Sequence, residues 1–212
     1  KEIDMANELG FEVIVVDHHL RLESLPQAAI IVDPQQDGKV VPFSWLCNAG
    51  LTFKLCEEIL KDNFSENLRN NFLEIVALAT ISDMVPQIED NKKYIEQGLR
   101  SLKNTFRPGL KVFIDILGEG TVAAGGYMKI ISALNAAESI DFSNEAYELL
   151  TSSSPKKCRE LAEKLLGNVQ FKQLKIAGIV AEVERRVQKN PGSPIIFEGD
   201  PAWKLVLAGT VA

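Results

Sequence analysis

Histidine is nearly missing from this chain: its 212 residues contain two, His18 and His19. Cysteine is scarce as well. Cys47, Cys56 and Cys158 are odd in number and lack C-x-x-C spacing, which argues against a disulfide scaffold or a thiolate zinc site and fits a reducing compartment. No apolar run approaches the roughly 20 residues that cross a bilayer, and no basic-then-apolar signal segment opens the sequence. The expectation is a cytoplasmic protein with no membrane partner. Positive charge is in deficit, with 23 Lys and Arg against 29 Asp and Glu and a net charge of −6. That balance disfavours indiscriminate attraction to polyphosphate but leaves room for a local basic groove. Repeats and low-complexity tracts are absent. The chain starts at Lys1 and stops within the apolar "LAGTVA", whereas domain ends are usually polar and frayed, so a piece of a longer protein is expected.

What is present alternates between two periods. "KEIDMANELG" has the look of a helix end, with Gly10 as its stop. "FEVIVV", from Phe11 to Val16, is short and β-branched, and predicts a strand buried on both faces, as in a parallel sheet. "AAIIV", Ala28 to Val32, predicts a second strand, closed by the turn residues of "DPQQDGK". Helices are expected over Ala49–Leu60, then from a Ser65 N-cap to a stop at Pro86. Two short ones follow, in "NKKYIEQGLRSLKNT" and, opened by Pro108 and closed by Gly118, in "PGLKVFIDILG". "AAGGYMKIISALNAA" predicts another, and about Pro155 to Val187 a long charged one that stops at "NPGSP". From Pro194 the composition returns to that of a strand. The alternation is the signature of an α/β protein.

The chemistry-bearing residues are few. Asp17, His18 and His19 follow the first strand without a gap, at the C-terminal edge where open parallel sheets bind ligands. A carboxylate beside neutral imidazoles suits a borderline divalent metal such as manganese or zinc. Neighbours leaving a strand point in opposite directions, so one imidazole is expected to hold metal while the other reaches a substrate phosphate. A D-H-H triplet taken alone is more often a polar loop start; that both histidines of the chain fall here favours a site. Asp83 in "ALATISDMVP" ends an apolar helix, where the helix dipole disfavours an acid. A bound cation would compensate it.

Five segments in order carry a resemblance: "VIVVDHHL", "LCNAGLTFKL", "ALATISDMVP", "GLRSLKNTFRPGL" and "ISALNAAES". Together they resemble the DHH phosphoesterase superfamily, and within it the RecJ family of single-strand-specific 5′→3′ DNA exonucleases. The resemblance implies a DHH-type parallel sheet with flanking helices, then a helical portion, a long connecting helix and the start of a second domain. It implies two divalent metal ions, Mn2+ or Mg2+, that activate water for attack on a phosphodiester. His18 and Asp83 match metal ligands, Asp17 the acid supporting the site, and His19 the histidine facing the scissile phosphate. Asn135 matches a residue near the nucleic-acid path, in a segment where Glu138 and Ser139 stand in place of the family's Gly and Arg.

The resemblance also divides the chain: residues 1–150 as the C-terminal part of a DHH domain, 151–192 as the connecting helix, and 193–212 as the first strand or strands of a truncated substrate-binding domain. Nothing in Lys1–Glu12 matches the family's "DADG"-type motif or its further Asp, so this chain by itself is expected to be inactive or nearly so. The implied partners are single-stranded DNA and, in repair and recombination, a single-stranded-DNA-binding protein or a helicase. Two alternatives stay open: a DHH phosphodiesterase for short oligonucleotides or cyclic dinucleotides, and a degenerate, non-catalytic member that binds DNA or a partner. The basic residues Lys92, Lys93, Arg100, Lys103 and Arg107 are interleaved with Glu89, Asp90 and Glu96, so a solvated helix face is at least as good a reading as a phosphate track. Phe43 and Trp45, after Pro42, are expected to cover a core edge, and the cysteines to be small buried apolar residues.

Overall fold

Backbone pairing begins where the first β-branched run predicts it. In the computed structural model, Ile14–Val16 (β1) and Ile30–Val32 (β2) pair in parallel, with Ile14 opposite Ile30 and Val16 opposite Val32. The structure describes residues 1–20, 24–35, 44–118, 120, 122–140, 143–189, 198–203 and 207. Before β1 lies helix α1, Glu2–Glu8, ended by Gly10 at φ 84°. Both strands are shorter than the apolar runs that encode them, and the expected burial on both faces does not hold. Ile14 is 58% exposed and its partner Ile30 53%. The reason is that among the described residues the sheet has two strands, and only Val16 packs against the helical core.

That core belongs to the first of two compact units, Lys1–Tyr127. Three helices build it: α2 (Asn48–Leu60), α3 (Glu66–Ser82) and α4 (Glu89–Leu102). Ser65 caps α3 as expected, its hydroxyl accepting the Leu68 N–H at 3.3 Å. Leu46, Leu51, Phe53, Leu73, Val76 and Tyr94 form a buried cluster. Phe53 meets Tyr94 edge-on, their centroids 5.2 Å apart, a geometry that ring quadrupoles favour. Helices α3 and α4 approach closely enough to require a glycine: a Cβ on Gly98 would lie 2.1 Å from the Leu73 carbonyl oxygen. One turn further along, buried Glu74 accepts the hydroxyls of Ser101 and Thr105, each at 2.7 Å. Its carboxylate is thereby solvated by the protein. Helix α5, Pro108–Leu117, has Pro108 in its first turn and Gly118 as its cap at φ 95°.

The second unit, Met128–Ala212, holds most of α6 (Tyr127–Leu134), a short antiparallel pair β3 (Ser139–Ile140) and β4 (Ser143–Asn144), α7 (Glu145–Thr151) and α8 (Pro155–Lys189). Leu149 from α7 and Cys158, Ala162 and Leu165 from the start of α8 are fully buried. Further along α8, Phe171 and Leu174 are exposed. Arg186 joins Glu182, lies 3.0 Å from Asp200, and stacks over Trp203 at 5.2 Å. The expected helix over "AAGGYMKIISALNAA" is confined to its middle, because Gly125, at φ 80°, takes a conformation a helix does not use. The strand expected from Pro194 falls mainly outside the described residues, as do the "NPGSP" stop and Phe43. Within it, Asp200–Trp203 forms a turn closed by a 3.0 Å bond from Trp203 N–H to Asp200 O, since Asp200–Pro201 is turn chemistry. Trp45 is half exposed. Cys47 and Cys158 are buried, as expected, and Cys56 is partly so.

Candidate metal centre

The site starts where the ladder ends. Asp17 N–H donates to Val32 O at 3.0 Å, one step past the last strand pair, and from there the chain leaves the sheet. The Asp17 carboxylate turns back on the loop that follows. Its Oδ1 accepts the His18 N–H at 2.8 Å, the His19 N–H at 3.3 Å and His19 Nδ1 at 2.7 Å. Burial alone would raise the Asp17 pKa, but the hydrogen bonds from the His19 ring and the two backbone N–H groups outweigh it and leave the carboxyl below its usual value.

This turn overrides the expected divergence of the two imidazoles. The His18 and His19 ring centroids are 4.3 Å apart and tilted by 41°. The physical reason is that strand alternation stops at Val16; past it, the Asp17 turn directs the side chains. One donor atom from each of Asp17, His18 and His19 lies within 4.8 Å of the others, a spacing that a single cation can bridge.

Asp83 reaches the same place from the far end of α3. It is the C-cap of that helix, where the unpaired carbonyls already carry negative potential, and His18 Nε2 stands 3.3 Å from its Oδ2. His18 is the most buried member of the group, and His19 the most exposed. The loop that carries Asp83 away from α3 is held by a residue the sequence did not single out. Buried Asn91 donates through Nδ2 to Pro86 O at 2.8 Å and to Trp45 O at 2.7 Å. An Asn in the first turn of a helix is unremarkable in sequence, so nothing flagged it. Behind the site, the Thr80 hydroxyl donates to Val76 O at 2.7 Å. The Cys47 thiol, 3.4 Å away, is therefore the donor to Thr80 Oγ1.

Four of the five sequence-derived candidates thus come together: Asp17, His18, His19 and Asp83. Asn135 is exposed just beyond α6, in the second unit. Two carboxylates and two imidazoles form a mixed O/N donor set that fits a divalent first-row cation. Of the basic residues on α4, Lys93 is paired with Asp90 at 3.3 Å and Lys92 is exposed.

Residues 1–80 match the DHH family, N-terminal domain. Over its full length the chain is 31% identical to the single-stranded-DNA-specific exonuclease RecJ of Bacillus subtilis, covering 27% of that protein. The chain is similar to the RecJ-type DHH proteins. It is also 28% identical to the RecJ of Salmonella typhimurium, with 98% of this chain and 39% of that one aligned. Among solved structures, a manganese-bound exonuclease RecJ superposes with a TM-score of 0.72 at 21% identity, over 87% of this chain and 47% of the other. RecJ of Thermus thermophilus in complex with Mn2+ gives 0.69 at 23%, over 86% and 28%. The chain therefore spans about a quarter to two fifths of the curated RecJ relatives it matches. The shared RecJ-like fold is α/β, mostly helical with a small parallel sheet. No helix among the described residues is long and apolar enough to cross a membrane.

Proposed function

We propose that the chain is part of a metal-dependent exonuclease that hydrolyses phosphodiesters of single-stranded DNA in the 5′→3′ direction, in repair and recombination in the cytoplasm. The observation that carries this reading is the meeting of Asp17–His18–His19 with Asp83, from two separate elements, at the exit of a parallel strand. The relatives' description as single-stranded-DNA-specific exonucleases supplies the substrate class, and the manganese and magnesium complexes of RecJ supply the metal class. A single-stranded-DNA-binding protein or a helicase is the partner this activity calls for. In domain terms, residues 1–150 are the C-terminal part of a DHH domain, 151–192 the connecting helix, which α8 supports, and 193–212 the opening of a substrate-binding domain.

His18 Nε2 and the Asp83 carboxylate, already 3.3 Å apart, are the ligands for one of two divalent ions, Mn2+ or Mg2+. When bound, such ions lower the pKa of water and neutralise charge on the phosphate. Asp17 holds the loop in place by accepting both backbone N–H groups, and through Oδ1 it fixes the His19 ring. His19, the most exposed of the four, presents its remaining ring nitrogen, Nε2, to a phosphate oxygen. The chain by itself is inactive or nearly so, because the family's "DADG"-type motif has no counterpart in it.

Manganese titration by calorimetry tests the ligand assignment. Binding by the chain that disappears in both His18→Ala and Asp83→Asn is the expected result. Equal affinity in wild type and both variants would remove these residues from the metal site.

A further inference from the structure

A concavity in the first unit lies among α2, α3 and Arg107. Its volume is about 340 Å³, within the range of small-ligand sites. Phe53, Phe72, Ile75 and Val76 supply an apolar wall, while Asn48 and Arg107 are the polar residues used below. Arg107 sits just before α5, and its backbone N–H donates to Thr105 Oγ1 at 3.2 Å. Arg107 is partly buried, and among the described residues its buried Nε has no acceptor and no carboxylate lies within ion-pair distance.

The nearest explanation for Arg107 is charge balance for Glu74. That accounts for the charge but not for the donors. The two Glu74 oxygens are taken by Ser101 and Thr105, and Arg107 acts on Glu74 only through its field. A guanidinium stays charged in proteins and presents a planar fork that suits phosphate. An apolar wall with one such fork and one exposed amide matches a ligand that is flat and apolar on one side and anionic on the other. A nucleotide has that form, and base–aromatic stacking tolerates any base.

We propose that this concavity is a nucleotide subsite, with one base of a single strand against the Phe72 wall and the adjoining phosphate on Arg107. The inference rests on the single-strand nuclease reading above and assigns part of its substrate contact to residues outside the metal centre. Asn48 offers its side-chain amide to a base edge.

Anisotropy of a fluorescein-labelled ten-residue oligothymidylate, titrated with the 212-residue chain in EDTA, tests it. Arg107→Gln and Ala49→Leu, which removes volume from the wall, are each expected to weaken binding at least tenfold. Arg107→Lys keeps the charge beside Glu74 and is expected to fold normally, yet to weaken binding severalfold through loss of the fork. Amide spectra provide a second readout: thymidine 5′-monophosphate should shift Asn48 to Thr52 and the Arg107 side chain. Oligonucleotide affinity unchanged in Arg107→Gln and Ala49→Leu overturns the subsite and leaves the nuclease reading standing, since that is decided by the manganese titration. Absence of both oligonucleotide binding and nucleotide shifts at millimolar ligand also overturns it. A short peptide ending in phenylalanine with a free carboxylate that displaces the nucleotide would reassign the concavity to a protein partner.

Discussion

The packing of α4 against α3 makes a sharp prediction. Gly98 on α4 faces Leu73 and Ala77 on α3, and a Cβ there would stand 2.1 Å from the Leu73 carbonyl oxygen and 2.6 Å from the Ala77 Cβ. Carbon–oxygen contacts settle near about 3.3–3.6 Å, so Gly98→Ala requires α3 and α4 to part by roughly 1 Å. Backbone oxygen cannot rotate away as a side chain can. The separation would lengthen the bonds from Ser101 and Thr105 to Glu74, each now 2.7 Å, and open the seam beside Leu73 and Ala77. Overpacking of this kind costs about 1–3 kcal/mol and occasionally more, while Ala in place of Gly in a helix returns about 1 kcal/mol. With the strained Glu74 bonds added, the net is a loss of about 2 kcal/mol, or about 4–8 °C in Tm for a protein of this size. Thermal and urea unfolding followed by circular dichroism measure it. Gly167→Ala and Gly178→Ala on α8 are the internal comparison, because nothing lies within 4 Å of a Cβ at either. Each should raise stability by up to about 1 kcal/mol through helix propensity alone. A Gly98→Ala variant as stable as the parent would show that the helices do not approach as described.

Three further expectations follow from named contacts. Thr105→Val takes one of two hydroxyl donors from buried Glu74 and should cost about 1–3 kcal/mol in urea unfolding at unchanged m; no loss would mean that Glu74 is solvated some other way. Burial would raise the Asp90 pKa, but the charge of Lys54 and the hydrogen bonds from Lys93 and Lys54 outweigh it and lower it. Its stabilising contribution is thus complete above its unfolded value of about 3.9 and fades as pH falls through the lower folded value. Asp90→Asn should flatten that acid limb of a Tm-against-pH curve, and an identical limb would contradict the assignment. Asn91→Ala, which frees Pro86 O and Trp45 O, should weaken manganese binding by loosening the Asp83 loop; unchanged affinity in a folded variant would separate that loop from the site.

Much of the local structure is legible in the residues themselves. Ser65 caps α3, Pro108 and Gly118 bracket α5, and Gly10 ends α1, because capping is settled by a side chain and its own neighbours within one turn. Helix α7 and the β3–β4 pair carry no periodic signal in the sequence. The strands are only two residues each, too short for any period to register, and α7 is set by Asn144, whose carboxamide oxygen accepts from Ala146 and Tyr147 N–H.

At the candidate metal centre the division between sequence and structure is clearest. The triplet at the exit of a β-branched run, and an acid at the end of an apolar helix, are chemical facts written in order along the chain. Their order already named Asp17, His18, His19 and Asp83. That His18 and His19 stand ring to ring rather than on opposite sides was decided by Asp17 accepting the next two backbone N–H groups, which ends the alternation. That Asp83 meets His18 across a separation of 65 positions was decided by the packing of β1, α2 and α3 around one core. Local propensity acts over a turn or a strand, whereas bringing two distant side chains within ion-pair distance depends on burying apolar surface between the elements that carry them.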